Sequence, residues 1–172
     1  DGLPFPSVVS YFGDRKIVGR KAKELLAEAG ANVIGNTVRS PKTLLGRGAV
    51  DVEGVRRNPR DIVADVVAWV RKQALESEYA GKYDTAVVTI PVDMNGTRRA
   101  ELREAFRIAG ISVQQFVHEP LAALYGHLRS QREFPKNLKE LEGELILVFD
   151  WGGGTLDLTL CQAVDGLLVQ IR

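Results

Sequence analysis

The sequence predicts an α/β fold in which a mixed sheet carries flanking helices, and three observations lead there. Short β-branched or apolar runs alternate with segments whose apolar residues recur at helical spacing. Their order is strand, helix, strand, helix, strand, closing on a hairpin, which is the alternation of an α/β domain. The junctions carry the Gly, Pro, Asn and Asp residues that start or stop such elements.

Residues 3–12 are Pro-punctuated and then rich in Val, Tyr and Phe, an extended strand entering a sheet. Gly13-Asp14 makes a turn, and 16–19 is the return strand. Residues 20–29 form a short helix with Ala22, Leu25, Leu26 and Ala29 on one face, stopped by Gly30. Residues 37–48 form a basic connector containing Ser40-Pro41-Lys42, and 51–57 read as a polar loop. A well-marked helix start follows. Asn58 accepts from a free amide of the first turn, Pro59 loses nothing there by lacking an N–H, and Asp61 meets the positive end of the dipole. Ile62, Val66, Trp69 and Val70 give that helix its apolar face as far as about residue 79, and Gly81 ends it.

Residues 86–90 are a β-branched run of the kind buried on both faces of a sheet, stopped by Pro91. Asn95 caps the next helix, Leu102, Ala105, Phe106 and Ala109 form its stripe, and Gly110 is its left-handed C-terminal cap. Residues 111–117 return as a strand, Pro120 opens an Ala-rich helix to about residue 127, and 129–143 read as a charged loop. Residues 145–149 are an apolar strand, Gly152-Gly153-Gly154 a turn and 156–160 a strand. Asp165-Gly166 is the hairpin turn into 167–171. There is no internal repeat or low-complexity segment.

Length and composition narrow the function. At 172 residues, 45% hydrophobic and 26% charged, the chain suits one soluble domain or two small subdomains. A net charge of +1 gives no field that would recruit nucleic acid or an anionic membrane. The apolar runs are far shorter than the roughly 20 residues a spanning helix needs. No basic-then-apolar leader is read at the start, and the opening Asp-Gly-Leu-Pro suggests a trimmed chain. Cys161 is the only cysteine, which excludes an intrachain disulfide and fits a reducing compartment, with the cytoplasm as the expectation.

The chemistry concentrates in Leu147-Val148-Phe149-Asp150-Trp151-Gly152-Gly153-Gly154-Thr155-Leu156-Asp157. An apolar strand delivers a carboxylate at its exit, and three glycines let the backbone turn and present bare N–H groups to anionic oxygens. Thr155 adds a hydroxyl, and Asp157 lies on the following strand. The set suits phosphate held by amides while Asp150 orients Mg2+ through its waters. It is not the common Gly-x-x-x-x-Gly-Lys-Ser/Thr loop, because here the glycines join two strands. A plain glycine-rich hairpin with two solvated aspartates accounts for the turn equally well.

The stretch from Asp150 to Asp157 resembles the second phosphate-binding hairpin of the seventy-kilodalton heat-shock chaperones, within the actin, hexokinase and heat-shock ATPase superfamily. Val88-Thr89-Ile90-Pro91-Val92-Asp93-Met94-Asn95 through Arg98-Arg99, with Ile108-Ala109-Gly110-Ile111, resembles the strand, proline switch and helix of lobe one. His118-Glu119-Pro120-Leu121-Ala122-Ala123 resembles the family's Glu-Pro-Thr-Ala-Ala signature. Weaker matches are Pro6-Ser7-Val8-Val9, Val18-Gly19-Arg20-Lys21-Ala22 and Lys42-Thr43-Leu44-Leu45-Gly46-Arg47.

The resemblance implies an actin-like (ribonuclease H-like) lobe, truncated at both ends. It places a reduced peripheral subdomain and connecting helix at 1–75, the lobe-one core at 76–144, and the phosphate hairpin opening lobe two at 145–172. It makes Lys42, Glu119 and Thr155 catalytic: the lysine at the terminal phosphate, the glutamate ordering water, the threonine beside the γ-phosphate. Gly152, Gly153, Gly154 and Thr155 would bind nucleotide, Asp150 and Asp157 would attend the ion, and Pro91 and Arg99 would relay nucleotide state to a peptide-binding domain. The implied cofactors are ATP or ADP with Mg2+, and K+ as a further candidate ion. The implied partners are unfolded peptides, nucleotide-exchange factors and J-domain cochaperones; separately, a sheet edge left open by the expected truncation could pair with another copy.

Taken singly, each of these residues has a plainer reading: Lys42 a solvated connector lysine, Glu119 a dipole-favoured surface residue, Pro91 a strand terminator, Arg99 an exposed helix arginine. Departures from the pattern are Leu121 for Thr, Asp93 for an aromatic, His118 for Asn, Trp151 for another large apolar residue, and Gln115 for an arginine that helps engage J-domains. The segment between Gly48 and Asn58 is also short. The family's first phosphate loop would precede Asp1 and its adenosine-binding helix would follow Arg172, so the chain by itself is expected to have negligible ATPase activity. Two other readings stand beside the chaperone: a sugar or acetate kinase of the superfamily, and a non-catalytic scaffold or nucleotide sensor.

Overall fold

The opening apolar run folds back at Gly13, whose φ of 57° supplies the turn, to make β1 (Val8–Phe12) and β2 (Arg15–Val18). The computed structural model describes residues 4–28, 35–79, 81–131, 134–151 and 156–171. β1 is the central strand of an antiparallel sheet ordered β2-β1-β3, with β3 at Thr37–Arg39. Helix α1 (Arg20–Glu28) follows β2 and packs on β1; its expected stop at Gly30 lies outside the described residues.

The expected polar loop at 51–57 is instead a hairpin of β4 (Val50–Val52) and β5 (Val55–Arg57). Its turn residues Glu53 and Gly54 both have positive φ, 58° and 73°, which matches the right-handed twist of the strands. Asp51 Oδ1 accepts from the Gly54 amide and helps hold the turn. Val52, 2% exposed, joins Val9, Tyr11, Val18, Val38, Ile62 and Val66 in one core, with Trp69 against it. The Tyr11 hydroxyl donates to Asp65 Oδ2 at 2.8 Å, Lys16 Nζ meets Asp65 Oδ1 at 2.6 Å, and the Arg57 guanidinium lies 4.0 Å from the Tyr11 ring centroid.

Helix α2 (Pro59–Leu75) starts as expected: Asn58 Oδ1 accepts from the Arg60 amide at 3.0 Å with Pro59 at the first position. It stops short of residue 79 because Ser77 turns back, its hydroxyl donating to the Ala74 carbonyl at 2.7 Å. After β6 (Thr85–Ile90) comes α3 (Gly96–Ile108), packed along α2 and capped by Asn95 Oδ1 on the Arg98 amide. At its end the Gly110 amide donates to Arg107 and the Ile111 amide to Phe106, with Gly110 at φ 79°, the paired bonds of a left-handed helix stop.

β7 (Ser112–His118) neighbours β6 and runs into α4 (Glu119–Ser130). The expected loop at 129–143 contains a further helix, α5 (Phe134–Glu140). β8 (Leu145–Trp151), β9 (Leu156–Val164) and β10 (Leu167–Gln170) form an antiparallel sheet ordered β10-β9-β8. Asp165 and Gly166, at φ 53° and 72°, make the expected turn between the last two strands. One face of this sheet packs Ile146, Val148, Cys161 and Leu168 against Leu121, Leu124 and Leu128 of α4 and Leu138 of α5.

The mixed α/β class holds, with the strands of the described residues spread over small sheets of three, three, two and two in place of one mixed sheet. The chain divides into two units, one of residues 1–86 and 95–114 and the other of 87–94 and 115–172. No helix among the described residues is long and apolar enough to cross a membrane.

Candidate functional site

The β8–β9 ladder fixes the geometry of the acidic pair. Its register sets Val148 opposite Thr159, Phe149 opposite Leu158, Asp150 opposite Asp157 and Trp151 opposite Leu156. Period-two alternation puts Asp150 on the row of Ile146 and Val148, and Asp157 on the row of Thr159 and Cys161. Those apolar positions are covered by α4 and α5, whereas both aspartates are exposed at the strand ends. Directly opposed residues of an antiparallel pair have Cβ atoms about 5 Å apart, and like charges there repel. A cation between them removes that cost. Among the described residues no group of three or more His, Cys, Asp or Glu could hold a metal. A carboxylate pair alone fits Mg2+, which takes one or two carboxylates and completes its shell with water and phosphate oxygens. Gly152, Gly153, Gly154 and Thr155, which the sequence predicts as the turn between these strands, lie outside the described residues.

Glu119 is the first residue of α4, half-buried, with Pro120 behind it. Its carboxylate position is favoured by the unpaired amides and positive dipole of the helix start. His118 precedes it with extended backbone and does not cap the helix; its Nδ1 instead lies 2.6 Å from Gln170 Oε1 on β10. That bond ties the β7–α4 junction to the sheet that carries Asp150 and Asp157. Sequence reading took His118 as a bare substitution and missed Gln170, because the two are 52 residues apart and only the tertiary fold makes them neighbours.

Pro91 follows β6, and its carbonyl accepts from the Met94 amide at 3.2 Å, closing a turn over Val92 and Asp93. Met94, 1% exposed, anchors that turn, while Asp93 is exposed. Gln115 is exposed on β7.

Lys42 sits in the other unit, half-buried in a single 3-10 turn, Pro41–Leu44. Ser40 enters that turn with left-handed backbone, φ 47°, and its carbonyl accepts from the Thr43 amide and hydroxyl, each at 2.9 Å. A cleft of about 350 Å3 borders the turn, lined by Thr43, Arg47, Asn95, Thr97 and Arg98. Arg99 is half-buried on α3 in the same unit. Of the expected site residues, the structure thus brings Asp150 and Asp157 face to face and sets Glu119 and Pro91 in their unit. Lys42 and Arg99 belong to the other unit.

A family model described as Hsp70 protein matches residues 49–171, well over half of the chain. The match takes in Pro91, Arg99, Glu119, Asp150, the glycine turn and Asp157; Lys42 precedes it.

Proposed function

The chain belongs to the Hsp70 family, and from that premise we propose that it forms part of the nucleotide-binding domain of a chaperone that hydrolyses ATP to gate peptide binding. The observation that carries this reading is the register that sets Asp150 of β8 directly opposite Asp157 of β9. Two carboxylates so opposed disfavour each other in isolation and become useful only with a cation, while the glycine amides that the intervening sequence offers suit phosphate.

In this reading Asp150 orients the water shell of Mg2+ and Asp157 steadies it from the facing strand. Held by these two carboxylates, Mg2+ would supply positive charge to offset that on the phosphate oxygens. Gly152, Gly153 and Gly154 donate backbone N–H groups to phosphate, and Thr155 places its hydroxyl at the terminal phosphate. Glu119, on a helix start fixed to the sheet through His118 and Gln170, orders the attacking water. Lys42 supplies the cation that stabilises charge on the transferred group. Pro91 and Arg99 report nucleotide state to a peptide-binding domain, with unfolded peptides and exchange or J-domain cochaperones as partners.

The test is calorimetric titration of Mg·ATP into this chain and into a longer chain carrying the complete nucleotide-binding domain, each with and without Asp150→Asn. Tight binding by the longer chain, weakened in Asp150→Asn with loss of its Mg2+ dependence, supports the reading. Binding that ignores the substitution, or no binding by the longer chain, overturns it.

A further inference from the structure

We propose that His118 and Gln170 are positioning residues for Glu119: their bond sets where the start of α4 stands on the β8–β9–β10 sheet, and so where the Glu119 carboxylate meets the attacking water. This rests on the water-ordering role given to Glu119 above. His118 is the last residue of β7 and Glu119 the first of α4. One peptide bond holds their Cα atoms about 3.8 Å apart, so whatever fixes the histidine fixes the glutamate's backbone. His118 Nδ1 lies 2.6 Å from Gln170 Oε1, and with the amide oxygen as acceptor the ring nitrogen donates. Both residues belong to one unit of the chain.

The helix start needs such a bond because the rest of its contact with the sheet has no direction. Leu121, Leu124 and Leu128 of α4 pack over Ile146, Val148 and Cys161. Contact of that kind holds a helix down, but it discriminates weakly between positions a fraction of an ångström apart. A hydrogen bond has a preferred length and angle. Gln170 lies in the same cross-strand row as Cys161 and Ile146, so its amide sits on an otherwise apolar face, where it is costly to bury unpaired. The two other capped helices use this position differently. Asn58 and Asn95 each accept from an amide of their own first turn, whereas His118 makes no such bond and reaches across to β10.

The strand register carries that bond to the acidic pair. Gln170 stands opposite Cys161, and Asp157 lies on the same strand and the same face as Cys161, four residues earlier. Four residues of strand span about 13 Å. Glu119 is thereby referred to the ladder that holds Asp150 and Asp157, through strand and helix rather than through a loop, and rigid elements place a side chain more precisely. A misplacement of about 1 Å can lower a rate by about a hundredfold. Because the bond is made well away from the two aspartates, losing it should slow turnover and leave the hold on Mg·ATP as it was.

Steady-state ATPase of the longer chain with the complete nucleotide-binding domain tests this, with His118→Ala, Gln170→Leu, their double variant and Gln170→Glu. Each of the first two should lower kcat about ten- to a hundredfold with KM for Mg·ATP unchanged. The double variant should be no slower than the slower single one, since both remove the same bond. Gln170→Glu keeps an acceptor oxygen and should stay within about twofold of the parent. A second measurement reads the bond in the present chain without any activity. Long-range 1H–15N spectra should show the His118 ring protonated at Nδ1, and the proton moving to Nε2 in Gln170→Leu; the chain has two histidines, so His127→Gln assigns the signal. An ATPase lost in Asp150→Asn but unchanged in His118→Ala and Gln170→Leu overturns this inference alone. So does a KM that rises as kcat falls, a double variant whose losses multiply, or a ring whose tautomer ignores Gln170→Leu. A longer chain with no ATPase, or one indifferent to Asp150→Asn, overturns the nucleotide reading and this inference with it.

Discussion

Tyr11→Phe offers a test in which the sign of a pH effect, and not only its size, follows from the structure. Tyr11 is fully buried in the first core, and its hydroxyl donates to Asp65. Removing the hydroxyl deletes a hydrogen bond to a charged acceptor, which contributes about 1.5–3 kcal/mol. Asp65 keeps Lys16 at 2.6 Å, so about 2 kcal/mol is the expected loss at neutral pH. Burial, and next the bond to Asp65, hold the phenol far above its ordinary range, with only the Arg57 charge opposing them. An unfolded tyrosine ionises near pH 10. Above that pH the unfolded chain has lost a proton that the folded chain keeps, so the stability of the parent chain falls as pH rises. Phe has no such proton. The gap between the two chains therefore holds constant below about pH 9, shrinks by about 1.4 kcal/mol by pH 11, and closes near pH 11.5. Urea unfolding followed by tryptophan fluorescence, with Trp69 packed against this core, reads the gap directly. A gap that stays level through pH 11, or one absent at pH 7, refutes the account of this buried network.

Asp157→Asn should stabilise the metal-free chain by a few tenths of a kcal/mol, since it removes the like-charge partner of Asp150. Thermal melts should then show millimolar Mg2+ raising the Tm of the parent chain more than that of the variant; equal shifts would sink the cation reading of the pair. Gly110→Ala should cost about 1–2 kcal/mol in urea, because φ is 79° there. Its new Cβ would also lie 3.0 Å from Arg71 Nη1, on a side chain whose Nε is engaged with the Tyr83 carbonyl. An Ala variant as stable as the parent would remove the helix-stop argument.

What the sequence disclosed was local. Asn58, Asn95 and Gly110 act within a turn of their own position, and Asp165-Gly166 dictates its hairpin by backbone preference alone, so each could be placed without the fold. The Glu53-Gly54 hairpin escaped because Glu rarely takes positive φ and charged neighbours hide three valines. α5 escaped because its seven residues carry Lys and Glu beside an apolar contact, that of Leu138 with the α4 cluster, that only tertiary packing supplies. At the site, the glycine turn and its flanking acids were legible as a motif. That Asp150 and Asp157 stand directly opposite depends on register, and the His118–Gln170 tie depends on a side-chain contact between separate sheets that no local pattern encodes.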